Sequence, residues 1–376
     1  RRKGLIDALT GLIENAPAGG LASLSLYQQK GQNTMKKNVS LVTGSSGFIG
    51  SHVAGELLYQ GHEVIGIDDL SGGFQSNHPQ GMIFHQGSIT DVEFVAWLFK
   101  TYTFDYIFHL AAYTAEGLSH FTRTANYTTN VLGSVNLINA AVNQGTIKTF
   151  VFSSSIAVYG SSTSPLTEDM APRPEDPYGI SKYTTELDLA SAHRMFGLNY
   201  IIFRPHNVYG VNQNTGDRYR NVIGIFMNQI MEGKPMTIFG SGTQTRAFSY
   251  IDDVAPIIAR SIRYREAFNQ VFNIGADQPY TINEVARSVA KAMDVPLHVK
   301  HLQARRETVH AYCSHEKATQ VFGSLFSKVS LETGLGRMAE WVKANGPVPH
   351  RVYDQIEIQK NMPPVWASQL LNTIAA

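Results

Sequence analysis

Tyr178 and Lys182 stand four residues apart in "PYGISKYTTE" (177–186), where a helix is expected to begin, so their side chains share one helix face. A free tyrosine ionises at about pH 10 and is a poor base at neutrality, but a neighbouring ammonium favours the phenolate. Such a pair could take a proton from a substrate hydroxyl, with a serine orienting the same oxygen. Serines are at hand: "TFVFSSS" (149–155) reads as a buried strand that ends in Ser153, Ser154 and Ser155. Taken alone, Tyr-x-x-x-Lys is abundant by chance and fits an ordinary surface turn of helix equally well. Its neighbours in the chain decide the reading.

The second constellation is "VTGSSGFIGSH", with Gly44, Gly47 and Gly50 spaced three apart between a strand and a helix. Glycines there permit a tight turn and close backbone approach to a pyrophosphate, while the helix N-terminus offers unpaired N–H groups and a favourable dipole. The spacing is GxxGxxG rather than GxGxxG, and glycines also mark ordinary strand-to-helix turns. The next strand ends at Asp68, twenty-four residues after Gly44, near the distance at which an acid accepts hydrogen bonds from a ribose 2′-OH. An acid there repels a 2′-phosphate, so NAD is favoured over NADP. Asp69 is the alternative for the same role, and a solvated turn is the other reading of Asp68.

These residues need a scaffold. Short β-branched or aromatic runs, "VSLVTG", "HEVIGID", "MIFHQG", "YIFHLAA", "TFVFSSS" and "NYIIFRP", read as buried strands, with helix-length segments between them. That alternation predicts an α/β fold, a doubly wound parallel sheet with helices on both faces, whose ligands lie beyond the carboxyl ends of the strands. We expect this dinucleotide-binding domain over 35–205. A smaller α/β substrate-binding lobe is expected over 206–345, with some segments, such as the helix at 252–263, returning to the first domain, followed by a tail over 346–376. Residues 1–34 read as an extension outside the fold: Asp7 and Glu14 interrupt what would have to be a signal peptide's apolar region.

Composition narrows the partners. Lys plus Arg, 31, nearly cancels Asp plus Glu, 30, so neither nucleic acid nor a membrane surface is expected as partner. No run of about 18 uncharged apolar residues marks a transmembrane helix. A single cysteine, Cys313, excludes an internal disulfide framework and a multi-cysteine zinc site; no metal is expected, and cytoplasmic residence is.

Taken together, "TGSSGFIGSH", "HLAA", "SSSIAVYG", "YGISK", "RPHNVYG" and "RAFSYIDDV" resemble the extended short-chain dehydrogenases/reductases, and within them the nucleotide-sugar 4-epimerases. The resemblance covers most of residues 38–320. It implies an NAD site formed by Gly44, Gly47, Phe48, Ile49, Gly50, Asp68, Asp69, Ser88, Ile89, Leu110, Ala111, Ala112, Asn130, Ser153, Tyr178 and Lys182. It also implies a first step in which C4 of the sugar is oxidised by hydride transfer to NAD. In that step Ser155 would bond O4, Tyr178 would act as base and then acid, and Lys182 would lower the tyrosine pKa and hold the nicotinamide ribose.

For the substrate, the resemblance implies Asn207 and Arg246 at the diphosphate, joined by Arg305 or, across a one-residue gap, Arg306, with Arg305 preferred; a planar guanidinium suits two phosphate oxygens. Asn221 resembles a further substrate-contacting asparagine. Tyr312 matches a position that lines the pocket around the sugar's 2-substituent, which favours a non-acetylated hexose.

What is missing narrows the reaction. Family 4,6-dehydratases carry an Asp-Glu pair where this chain has Ile156 and Ala157, neither of which can move a proton. The 3,5-epimerases place a cysteine near the same strand end, and Cys313 is far from it in sequence. The decarboxylases' carboxylate has no counterpart here. The expected activity is therefore that of an NAD-dependent 4-epimerase of the UDP-glucose/UDP-galactose type, acting on a nucleotide-diphosphate sugar as a homodimer joined through helices at about 126–144 and 178–196. A reductase, a dehydratase or a non-catalytic NAD-binding regulator is the alternative. Three departures bear on specificity: Ser88 replaces a usual aspartate, Thr114 a frequent lysine, and "RPHNVYG" the "RYFN" of UDP-galactose epimerases.

Overall fold

The computed structural model describes residues 37–304, 308–349, 355–364 and 366; the extension expected at 1–34 lies outside them. Strand β1 (Val39–Thr43) turns through the glycines into helix α1 (Phe48–Tyr59), followed by β2 (Glu63–Asp68) and β3 (Ile83–Gln86). Helix α2 (Val92–Thr101) starts at Asp91, whose carboxylate accepts the N–H groups of Glu93 and Phe94, a cap that satisfies two otherwise orphaned donors. After β4 (Tyr106–His109) the chain makes α3 (Arg123–Tyr127), one wide π turn (Thr128–Leu132) and α4 (Gly133–Gln144). Strand β5 (Thr149–Ser153) is followed by α5 (Pro177–Phe196), which opens with Asp176 capping Gly179 and Pro177 in its first turn, and closes at Gly197 with φ 75°.

Beyond β6 (Tyr200–Pro205) and β7 (Val208–Tyr209) come α6 (Val222–Met231), β8 (Met236–Phe239), β9 (Thr245–Ala247), β10 (Ser249–Tyr250), α7 (Ala255–Arg260), β11 (Gln270–Ile274) and β12 (Pro279–Thr281). Helix α8 (Ile282–Met293) carries a full capping box between Thr281 and Glu284, and β13 (Val299–Leu302), β14 (His310–Ala311), α9 (Glu316–Phe322) and α10 (Leu331–Asn345) complete the order.

Seven strands pair in parallel in the order β11-β6-β5-β4-β1-β2-β3, with the reversal between β1 and β4 that makes a crevice at the strands' carboxyl ends. Successive residues point to opposite faces, and each face has its own core. Val42, Phe108, Val151 and Phe203 join one cluster; Leu41, Ile107, Phe150 and Ile202 join the other. The first cluster continues into Ile223, Val285 and Met338 of the later helices, so the segments after 205 share a core with the sheet. β11, grouped with the later lobe in the sequence reading, is an edge strand of the main sheet, and α7 is tied to α1 by an Arg260–Glu56 ion pair of 2.7 Å. The remaining strands form short sheets, β12-β9-β14, β13-β8 and β10-β7. Among the described residues, no helix is long and apolar enough to cross a membrane.

Candidate functional site

A cavity of about 1310 Å³ opens at the carboxyl ends of the strands. The glycine turn forms one end. Gly44 holds φ at +71°, where a side chain is strained, and a Cβ there would lie 2.7 Å from the Ala111 nitrogen; at Gly50 it would lie 2.0 Å from the Gly44 carbonyl oxygen. The turn is therefore bare backbone beneath the N-terminus of α1, and Gly47, which caps that helix, makes no side-chain cap. Gly44, Gly47, Phe48, Ile49 and Gly50 all line the cavity.

Asp68 sits across from them at the end of β2. Its Oδ2 accepts the Ser46 N–H at 3.0 Å and its Oδ1 the Leu70 N–H at 2.8 Å, which fixes the carboxylate at the cavity wall. Burial raises its pKa and the two N–H bonds oppose the rise. Asp69, Ser88, Ile89, Leu110, Ala111, Ala112 and Thr114 line the same space, with the Ser88 hydroxyl turned to Thr90 Oγ1 at 2.8 Å.

Asn130 is the exception in this group. It is buried in the π turn and is not part of the cavity wall. Its amide donates to the Tyr113 carbonyl, Asn126 Oδ1 and Ser181 Oγ, and its oxygen accepts the Tyr113 N–H at 2.7 Å. A side chain so fully engaged splints the strand-four extension to α5 instead of offering a contact to a ligand.

The central cluster is formed by the exit of β5 and the start of α5. Gly179 lets the two come together, since a Cβ there would stand 2.6 Å from the Ala157 carbonyl oxygen. Ser155 caps a short turn at Ile156–Tyr159, accepting the Ala157 N–H at 3.1 Å, and its hydroxyl stands beside the Tyr178 phenol. Lys182 is 3% exposed; Nζ donates to the Ser153 carbonyl at 2.8 Å and lies 5.8 Å from the Tyr178 ring centre. Burial brings its pKa down to about 7, with the Glu186 charge opposing. The expected effect of Lys182 on the tyrosine pKa is not the dominant one. Burial dominates and pushes the phenol above its ordinary value, the Ser155 hydroxyl opposes this, and the charges of Glu116 and Asp176 add to the rise.

On the substrate side, Asn207, Asn221 and Arg246 line the cavity. Asn207 takes φ 39° and donates to the Ala247 carbonyl at 3.1 Å. Asn221 caps α6 through Ile223 and donates to the Val208 carbonyl, so its contribution to the wall is already oriented. Arg246 is braced by the carbonyls of Thr245, Thr308 and Val309. Arg305 and Arg306 lie outside the described residues. The wall residue on β14 is Ala311; Tyr312, next in the chain, does not line the cavity and pairs through its backbone with Ser164 and Leu166. Strand alternation explains this, because neighbouring residues face opposite ways.

Two groups escaped sequence reasoning. Glu186, four residues past Lys182, accepts from Ser154 Oγ at 2.5 Å and pairs with Arg204, whose Nη1 reaches the Tyr159 hydroxyl at 2.8 Å. The signal was an arginine inside the apolar strand "YIIFRP" and an acid in helical phase with Tyr178 and Lys182. His206 faces His315 with Nε2 atoms 3.0 Å apart, and His315 Nδ1 lies 2.6 Å from Asp277 Oδ1. Burial pushes the His206 pKa down to about 3; its Nδ1 donates to the Ala247 carbonyl, the acceptor Asn207 also uses, so His206 braces the Asn207 and Arg246 segments together.

Residues 40–275 match the NAD dependent epimerase/dehydratase family. The UDP-glucose 4-epimerase of Mycolicibacterium smegmatis is 33% identical, covering 68% of this chain and 83% of its own. The UDP-glucuronate 4-epimerase of Thermodesulfobacterium geofontis is 28% identical over 81% of this chain and 96% of its own. The structure of the Thermotoga maritima UDP-glucose 4-epimerase with UDP-glucose superposes with a TM-score of 0.77 at 33% identity, spanning 82% of this chain and 99% of that one. The bare glycine turn, the helix N-terminus behind it and the fixed Asp68 carboxylate fit the pyrophosphate and ribose of a dinucleotide. This chain belongs to the NAD dependent epimerase/dehydratase family, within the extended short-chain dehydrogenases/reductases, and its cofactor is NAD.

Proposed function

We propose that the protein is a nucleotide-sugar 4-epimerase acting on UDP-hexoses. The observation that carries this reading is the Ser155–Tyr178 hydroxyl pair with Lys182 behind it, at the wall of one cavity with the glycine turn, and with only Ile156 and Ala157 where an acid pair for dehydration would stand. When bound, NAD supplies reversible two-electron oxidation and a positively charged ring. The chain's own part is proton handling and orientation. Tyr178 takes the proton from the sugar's O4 and returns it, Ser155 bonds the same oxygen and opposes the burial that raises the phenol, and Lys182 holds the nicotinamide ribose. Inversion at C4 leaves no net proton, so one group that both accepts and returns it suffices.

Asn207, Arg246 and Arg305 hold the diphosphate in this reading, and Asn221 adds a contact. The segments after 205 serve mainly as the substrate lobe. The protein works as a homodimer through α4, the π turn before it, and α5, where Leu132 on the turn and Ile180 and Leu187 on α5 are exposed at 57%, 37% and 53%.

The test is a panel of UDP-, GDP- and dTDP-sugars followed by NMR. A new anomeric signal from the C4 epimer, formed without net NADH, is expected. A 4-keto-6-deoxy product or stoichiometric consumption of reduced cofactor would replace this reading by dehydration or reduction. UDP-N-acetylglucosamine belongs in the panel, since turnover equal to that of UDP-glucose would overturn the expected restriction to non-acetylated hexoses.

A further inference from the structure

A strap made of residues 355–364 and 366 is fastened along the cavity wall. Met362 and Trp366 are buried in a small cluster with Ala115, Leu118 and Phe121. Trp366 meets Tyr219 edge-on at 5.0 Å, and its ring passes so close to Gly117 that a Cβ there would lie 3.3 Å away. Glu357 accepts the Thr124 N–H through both carboxylate oxygens at 2.9 and 3.0 Å, and its own N–H donates to the Phe121 carbonyl at 2.8 Å. An apolar anchor, an aromatic pair and a charge-assisted bond at separate points hold the strap in one place. Gln355 just ahead of these anchors, and Ile358, Lys360 and Asn361 between them, line the cavity.

The platform under the strap is the one that carries Tyr178. Ser119, within the same loop, accepts the Tyr178 N–H at 3.2 Å. Glu116 and Arg220, either side of the strap's contacts, lie close enough to act on the Tyr178 phenol. Asn207, Arg246 and Phe239 mark a different part of the wall, on the strands and turns after β6.

We propose that this strap is the specificity wall for the sugar ring of the nucleotide-diphosphate sugar, with the Lys360 ammonium and the Asn361 amide as ligands for its hydroxyls. The inference rests on the nucleotide-sugar reading above and names where that substrate's glycosyl end is read. Lys360 is exposed and free of the apolar anchor, so truncating it tests recognition without loosening the fold.

The experiment titrates the full-length, NAD-loaded protein with UDP-glucose, UDP-galactose and UDP by calorimetry, for the wild type, Lys360→Ala and Trp366→Ala. Loss of one charge-assisted hydrogen bond weakens binding by roughly 10- to 100-fold. The expected result is a loss of that size for UDP-sugars in Lys360→Ala, a larger one in Trp366→Ala, and UDP affinity within about twofold of wild type in both. Equal losses for UDP and UDP-sugars, or none in Lys360→Ala, would overturn the strap's role while wild-type turnover left the epimerase reading intact. Failure of the wild type to bind any nucleotide sugar would overturn both.

Discussion

At the scale of single residues, the tension in the site is between burial and charge. Tyr178 is pushed up and Lys182 down to about 7 by the same desolvation, so each is held toward its neutral form. Removing the Tyr178 hydroxyl should therefore stop proton exchange without disturbing packing. Tyr178→Phe is expected to lower kcat by roughly 10²–10⁴-fold or more while the melting temperature and bound NAD persist; near-normal turnover would end the role assigned to it. The depressed Lys182 pKa also has a stability signature. Between pH 7 and its ordinary 10.5 the unfolded chain binds a proton that the folded site sheds, so folded stability gains as pH rises through that window. Melting temperatures of wild type and Lys182→Met at pH 7 and pH 10 should show the difference moving in favour of wild type at the higher pH. No movement would mean that the amine stays charged when folded.

At the scale of elements, α5 does more than present Tyr178 and Lys182. Its next inward residue, Glu186, locks onto Arg204 of β6, and both side chains are about 5% exposed or less. The pair sets the height of α5 over the sheet and so the distance from Lys182 to the β5 carbonyl. Breaking it from one side leaves a buried, uncompensated guanidinium, a loss of about 3–5 kcal/mol. Glu186→Leu should show that loss in denaturant unfolding; a change within about 0.5 kcal/mol would mean that Arg204 finds water, as surface substitutions do. The glycine turn, α5 and the six leading strands were legible because their signals are local: bare glycines after an apolar run, a capped helix start, short β-branched stretches. β11 was not, since "QVFNIG" reads as a strand without saying which sheet edge is free to take it.

For the whole molecule, the exposed side chains Ile180 and Leu187 lie seven residues apart on one face of α5, with Leu132 on the neighbouring π turn. Isolated exposed apolar residues are ordinary, but a clustered stripe on paired helices suits an interface between two copies. Leu187→Glu should shift sedimentation from dimer toward monomer at micromolar concentration, with Tyr178 chemistry retained in the monomer. A monomeric wild type would refute this assembly.

The sequence by itself determined the sheet's parallel, doubly wound character, the NAD-binding turn with its acid, and the grouping of Ser155, Tyr178 and Lys182, because each follows from short-range spacing and from the rule that strand ends meet at one edge. The tertiary structure alone decided matters of direction and long-range contact. Asn130 turns into the packing, Ala311 rather than Tyr312 faces the cavity, Glu186 finds Arg204, and the strap of 355–364 and 366 packs on loops more than two hundred residues earlier. None of these has a local signal: which way a side chain points, and what a distant segment covers, depends on how the whole core settles its buried polar groups and apolar surface.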